Sequence, residues 1–192
     1  MRPHPKPHIR LEQYTIPANI AADILFLAAA VYQDIRDRTV IDLGTGTGRL
    51  AIGAAHMGAS RTTAIDIDPV AIRVAQQNAD TAMVDVDFIA GDLDAIRGEF
   101  DTVIMNPPFG TKQRHLDRAF LEKAIEIGRV IYSIHKSATR EYIQRYLERC
   151  GCRVKAIHEY TLDVPWMFEH HKKRKHSVRV DCYRVETGGS SQ

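Results

Sequence analysis

Three cysteines in 192 residues are too few and too oddly spaced for a disulfide framework. Cys150 and Cys152 are one residue apart and Cys182 stands alone, so reduced thiols in a reducing, cytoplasmic compartment are expected. Cys-x-Cys has no second pair at metal-ligand spacing, and no metal is expected. No apolar run approaches the ~20 residues a membrane helix needs. The longest, "ILFLAAAVY" (24–32), lies between Asp23 and Asp34. The opening "MRPHPKPHIR" is followed by neither an apolar core nor a cleavage site, which argues against secretion. Net charge is nearly absent too, at +2, but it is unevenly placed. "KKRK" (172–175) holds four cations; the rest of the chain has 22 cations against 24 anions. Such a concentrated patch suits a polyanion, the alternative being a solvated basic loop.

What is present is an alternating pattern. A helix is expected over 17–35, then strand 39–44, helix 49–58, strand 62–66 and helix 68–79, with Asp68 and Pro69 as cap and first residue. Strands 86–92 and 100–106 follow. Helix 116–128 should stop at Gly128, before strand 129–135. A helix over 137–151, capped by Ser137 and stopped by Gly151, precedes strands 153–163 and 176–186. This order predicts an α/β fold: a doubly wound, seven-stranded sheet, mostly parallel, closed by a C-terminal antiparallel hairpin. Residues 1–186 are expected to form one domain, with a disordered tail at 187–192 and an extended Pro-rich head to about Arg10.

Ligands of such sheets bind at the carboxyl ends of the strands. Those ends carry "DLGTGTG" (42–48), "AIDID", "AGD" and "MNPPF". Gly44, Gly46 and Gly48 allow close backbone approach to a ligand, in a G-x-G-x-G spacing that is not the dinucleotide one. Asp42 before them suits a ligand with an ammonium group, or a nearby cation. Asp66, 22 positions after Gly44, is placed to accept from ribose hydroxyls, whereas Asp68 is better explained as a helix cap. Asp92 can meet an adenine amine, or simply cap a turn. In "VIMNPPFGTK" (103–112) a buried strand runs into an amide and two prolines. The prolines lack donors and lock φ, so the corner holds its carbonyls rigidly.

Together these strand ends resemble the class I S-adenosylmethionine-dependent methyltransferases, and "MNPPF" resembles their amino-methylating branch. "LEQY" (11–14), "MNPPFGTK" (105–112), "YSIHKSATRE" (132–141) and "HHKKRK" (170–175) look like the archaeal and eukaryotic small-subunit ribosomal RNA adenine-N6 methyltransferases. Eukaryotic members of that family are known as methyltransferase-like protein five. The likeness spans roughly residues 8–186; "LEQY" and "HKSATRE" are its specific parts.

The resemblance implies S-adenosylmethionine as cofactor. Gln13 and the backbone of Ile16 would lie at its methionine end, Gly44 and Thr47 along the loop with Asp42 and Gly48, Asp66 at the ribose, and Asp92 with Leu93 at the adenine. It implies Asn106, Pro107, Pro108 and Phe109 as the catalytic corner. Asn106 Oδ1 and the Pro107 carbonyl would accept the two N–H groups of an adenine amine, and Phe109 would stack on a flipped base. Lys112, His135, Lys136, Lys172, Lys173, Arg174 and Lys175 are the expected RNA contacts. Trp166 and Phe168 are expected to divide between packing and RNA contact. The family also implies a small zinc-binding activator protein as partner. Eukaryotic members carry cysteines where this chain has Thr45 and Thr47, a change expected to be harmless because backbone contacts dominate. Two other readings are a release-factor glutamine methyltransferase, which shares the "NPP" chemistry, and an RNA-binding scaffold without activity.

Overall fold

The structure is a computed structural model; it describes residues 1–5, 16–108, 116–164 and 176–188. Seven strands form one sheet in the order β3-β2-β1-β4-β5-β7-β6. They are β1 (Thr39–Leu43), β2 (Arg61–Asp66), β3 (Asp87–Ala90), β4 (Phe100–Met105), β5 (Gly128–Lys136), β6 (Arg153–Val164) and β7 (His176–Glu186). The first five run parallel. β7 inserts antiparallel between β5 and β6. The helices are α1 (Ala18–Phe26), α2 (Arg49–His56), α3 (Pro69–Ala82), α4 (Leu116–Ile127) and α5 (Arg140–Arg149).

Strand side chains alternate between two cores, as period-two geometry requires. Val40, Ile104, Tyr132 and Ile134 face α1 and α2, with Ile24, Leu25, Leu50 and Ala54. Ile41, Val103, Met105 and Ile131 face α4 and α5, with Leu121, Ala124, Ile143 and Leu147. Both faces of the central strands are therefore covered, which is why β1 and β4 carry apolar residues on both faces.

Four local expectations change. The first helix leaves α geometry after Phe26 and continues as a π-helical turn, Leu27–Val31. Just past this turn Asp34 is tethered to the sheet: its carboxylate accepts from Tyr132 Oη at 2.6 Å and Arg184 Nε at 2.8 Å, and its carbonyl accepts from Thr102. α3 runs on to Ala82 and ends at Met83, which takes a left-handed conformation. Ser137 does not cap the fifth helix. It opens a 3-10 turn, Ser137–Thr139, and its hydroxyl donates to Asp181 Oδ1 at 2.6 Å. Gly128 does not stop a helix in a left-handed turn; it is the first residue of β5. A Cβ there would lie 2.4 Å from Val103 Cγ2 and 2.9 Å from the Ala124 carbonyl, so the glycine permits α4 to pass directly into the strand.

The N-terminal residues lie on α3. The Arg2 amide donates to Asn78 Oδ1 at 2.6 Å, and His4 Nε2 is 3.0 Å from Asp68 Oδ2. No helix among the described residues is long and apolar enough to span a membrane.

Gly128→Ala should destabilise the fold by about 1–3 kcal/mol, because the backbone carbonyl of Ala124 cannot move aside like a side-chain end. Urea unfolding checks this; an unchanged midpoint would show that the α4–β5 junction gives way without cost.

Candidate active site

The strand order reverses between β1 and β4. Chain leaving β1 crosses to β2 on one side, and β4 returns on the other. A crevice is expected outside the carboxyl ends at such a point. The register aligns those ends: Leu43 pairs with both Ile65 and Met105, and Asp66 pairs with Ala90. Gly44, Asp66 and Asn106 thus come together on one rim. Asp92 stands just past β3, exposed, with Oδ1 accepting from the Asp94 amide at 3.1 Å as cap of a 3-10 turn, Leu93–Ala95. The rim from β3 to β4 covers three strand spacings, about 14 Å.

Two carboxylates hold the loop between β1 and α2. Asp66 Oδ2 accepts from the Gly46 amide at 2.8 Å, and its Oδ1 from the Asp68 amide at 2.9 Å. Asp42 lies beneath, 1% exposed. Its Oδ2 accepts from Thr45 Oγ1 at 2.6 Å and the Ala51 amide at 3.1 Å. Its Oδ1 is buried with no partner among the described residues. Burial pushes the Asp42 carboxyl up to about 7; the Thr45 and Ala51 bonds oppose the rise and the Asp66 charge adds to it. Burial raises Asp66 as well, against its two amide bonds.

The three loop glycines have different jobs. All have positive φ. Gly44 touches α4, where a Cβ would lie 2.8 Å from Phe120 Cε1, and Gly48 closes on Ala75 and Ile52. At Gly46 alone of the three, no described residue would meet a Cβ, so this is where the loop can meet a ligand. Thr47 is buried, and its carbonyl accepts from Asn78 Nδ2 at 3.0 Å. Thr45 takes part through its side chain as well as its backbone: its hydroxyl donates to Asp42. Asp68 caps α3 by accepting from the Val70 amide at 2.8 Å, as its sequence position predicted.

At the end of β4, Asn106 is partly buried, Pro107 buried and Pro108 partly buried. Asn106 Oδ1 is a buried acceptor with no partner among the described residues. Such an atom is costly unless something donates to it. Ile16 is buried, and its carbonyl accepts from Arg49 Nη1 at 2.7 Å.

The "HKSATRE" run is organised by a residue the sequence did not single out. Asp181 on β7, fully buried, accepts from Ser137 Oγ, from Arg140 Nε and Nη2 at 2.7 Å each, and from Tyr183 Oη at 3.3 Å. Burial raises its carboxyl, but the Arg140 and Ser137 bonds outweigh this and hold it below the usual range. His135 is not a surface contact. Its ring is 3% exposed, 2.5 Å from Ser133 Oγ and edge-on to Tyr183. Burial pushes it down to about 4, against the pull of Asp181, so the ring is neutral at pH 7 and cannot serve as a cation for phosphate. Lys136 lies on the surface beside Ser137, Ser177 and Arg179. Gln13, Phe109, Lys112, Trp166, Phe168, Lys172, Lys173, Arg174 and Lys175 fall outside the described residues.

Residues 21–129 match the Methyltransferase small domain family. The chain belongs to it. An rRNA N(6)-adenosine-methyltransferase of Drosophila melanogaster is 35% identical across 95% of this chain and 90% of its own. Its zebrafish (Danio rerio) counterpart is 36% identical across 93% and 90%. An uncharacterised Methanocaldococcus jannaschii protein is 42% identical across 98% and 90%. Among solved structures, one from Pyrococcus horikoshii superposes with TM-score 0.89 at 35% identity, covering 97% of this chain and 92% of that one. The protein is therefore a class I methyltransferase that uses S-adenosylmethionine. The site fits that cofactor: open space at Gly46, a carboxylate at each of the β2 and β3 ends, and an unpartnered acceptor at Asn106.

Asp42 has a pH signature. A carboxyl whose folded pKa lies above its unfolded value makes the folded state bind more protons between the two values. Its contribution is thus most favourable below about pH 4 and declines as pH rises to about 7. Asn at this position carries no such dependence. The difference in Tm between Asp42→Asn and the parent should therefore shift in favour of the variant from pH 4 to 7, then level off. Parallel Tm curves across that range would show that Asp42 does not titrate there.

Proposed function

We propose that the protein methylates N6 of an adenine in structured RNA, most specifically small-subunit ribosomal RNA. The observation that carries this is the unpartnered Asn106 Oδ1, held at the switch point beside the glycine loop. An adenine amine is a weak nucleophile because its lone pair is delocalised into the ring. Asn106 Oδ1 accepts one N–H and the Pro107 carbonyl the other, which draws the nitrogen toward tetrahedral geometry and aims its lone pair. No strong base is required; the effect is positioning and electrostatics. The sulfonium cofactor supplies an already activated methyl group. Pro107 and Pro108 hold the acceptors on a stiff corner without presenting an N–H that would repel the amine. Phe109 supplies a stacking face for the extruded base.

The relatives favour this reading over glutamine methylation. The rRNA-adenosine enzymes align across almost the whole chain, whereas a Deinococcus radiodurans release factor glutamine methyltransferase aligns over 45% of it. On this reading the segment 172–175, with Lys136 and Lys112, contacts phosphates, and the protein works in the cytoplasm. A small zinc-binding activator protein is part of the proposal. β3, only four residues long, has one strand neighbour, and Ile67 and Met83 on its flanks are 58% and 90% exposed.

The test is transfer of labelled methyl from S-adenosylmethionine to small-subunit rRNA and to release factor, with nucleoside analysis of the RNA. Label in N6-methyladenosine alone is the expected result; label in the release factor, or in neither, contradicts it. The same adenine should react well in its natural junction and poorly in a perfect duplex, because extrusion from a duplex costs a few kcal/mol. Equal rates on both would refute the flipped-base step.

A further inference from the structure

Arg49 is in an unfavourable place. It is the first residue of α2, directly after Gly48, where the helix dipole presents its positive end. A cation there is repelled by the orphan amides of the first turn. It is also half-buried, and burial pulls its guanidinium below the ordinary value. Among the described residues one bond orients it, from Nη1 to the Ile16 carbonyl at 2.7 Å, and a carbonyl does not neutralise a charge. Nε is buried with no partner, and among the described residues no carboxylate pairs with the group. Two other arginines with restricted exposure, the buried Arg184 and the half-buried Arg140, are treated differently. Arg184 pairs with Asp34 and Glu186, and Arg140 with Asp181 and Glu159.

The strand order says which anion arrives. With adenine at the β3 end and ribose on Asp66 at β2, the reacting methyl must reach Asn106 at β4. The amino-acid portion of the cofactor then lies over the end of β1, where the loop gives way to α2. We infer that the Arg49 guanidinium binds the α-carboxylate of S-adenosylmethionine, with the Ile16 carbonyl holding the side chain in position. The inference rests on the cofactor assignment and adds to it a residue that distinguishes the amino-acid end by charge. A forked guanidinium suits a planar carboxylate.

The experiment is calorimetric titration of the full-length protein and of Arg49→Gln with two ligands, S-adenosylhomocysteine and decarboxylated S-adenosylmethionine. The second ligand lacks the carboxylate and keeps the sulfonium methyl, so each ligand is compared between variant and parent rather than with the other ligand. Arg49→Gln should weaken S-adenosylhomocysteine about ten- to hundredfold, the range for a charged hydrogen bond, and leave the decarboxylated ligand within about twofold. Equal weakening of both would mean that Arg49 only braces the fold, and no weakening of either would mean that it touches neither; each overturns the inference. If the parent bound no S-adenosylhomocysteine, the cofactor assignment itself would fall, and this inference with it. Arg49→Lys keeps the cation but not the fork and serves should the glutamine variant not fold. The ratio of its two affinities must also move severalfold against the carboxylated ligand, or the inference is wrong.

Discussion

The loop from Gly44 to Gly48 is held by two carboxylates on adjacent strands, and the rest of the site depends on that clamp. Asp42 ties Thr45 and Ala51 together from below. Asp66 takes the amide of Gly46 from the side. With both in place the loop cannot relax into the crevice, and the one open glycine stays available to a ligand. Burial raises both carboxyls above their ordinary values, and the Asp66 charge adds to the rise at Asp42.

Asp92 belongs to the β3 end, Asp66 to β2, the glycines to β1 and Asn106 to β4. On the proposed reading, a cofactor laid along these three strand spacings would bring its far end to Asn106, the amide proposed to orient the acceptor amine. Little covalent work is left to the protein, because the sulfonium is already a good leaving group. What the fold supplies is rigidity, and rigidity is what buried parallel strands ending in two prolines provide.

Much of this was legible in the chain. Alternating apolar runs pointed to the mostly parallel sheet and its closing antiparallel pair. Asp68 and Pro69 marked a helix start that the structure keeps. The misreadings share a cause: local signals were overruled by distant partners. Ser137 looks like a cap until Asp181, 44 positions later, takes its hydroxyl. Asp34, just past the first helix, is held by Arg184, 150 positions away, and by Tyr132. His135 reads as a pocket residue, but strand register turns it into the core beside Tyr183. Gly128 looks like a stop signal, whereas its real constraint is Val103 on the next strand. Arg49 did leave a trace in sequence, a cation where a helix start disfavours one, and only its missing counter-ion gave that trace meaning.

The central claim is that Asn106 acts on the acceptor nitrogen and not on the cofactor. Paired measurements on Asn106→Ala test it: S-adenosylmethionine affinity by calorimetry, and single-turnover methyl transfer to RNA. The account predicts affinity within a few-fold of the parent and transfer reduced about 10²–10³-fold, the loss typical of one oriented polar group at a reacting centre. Near-normal transfer, or a loss of cofactor affinity large enough to explain the rate, would contradict it.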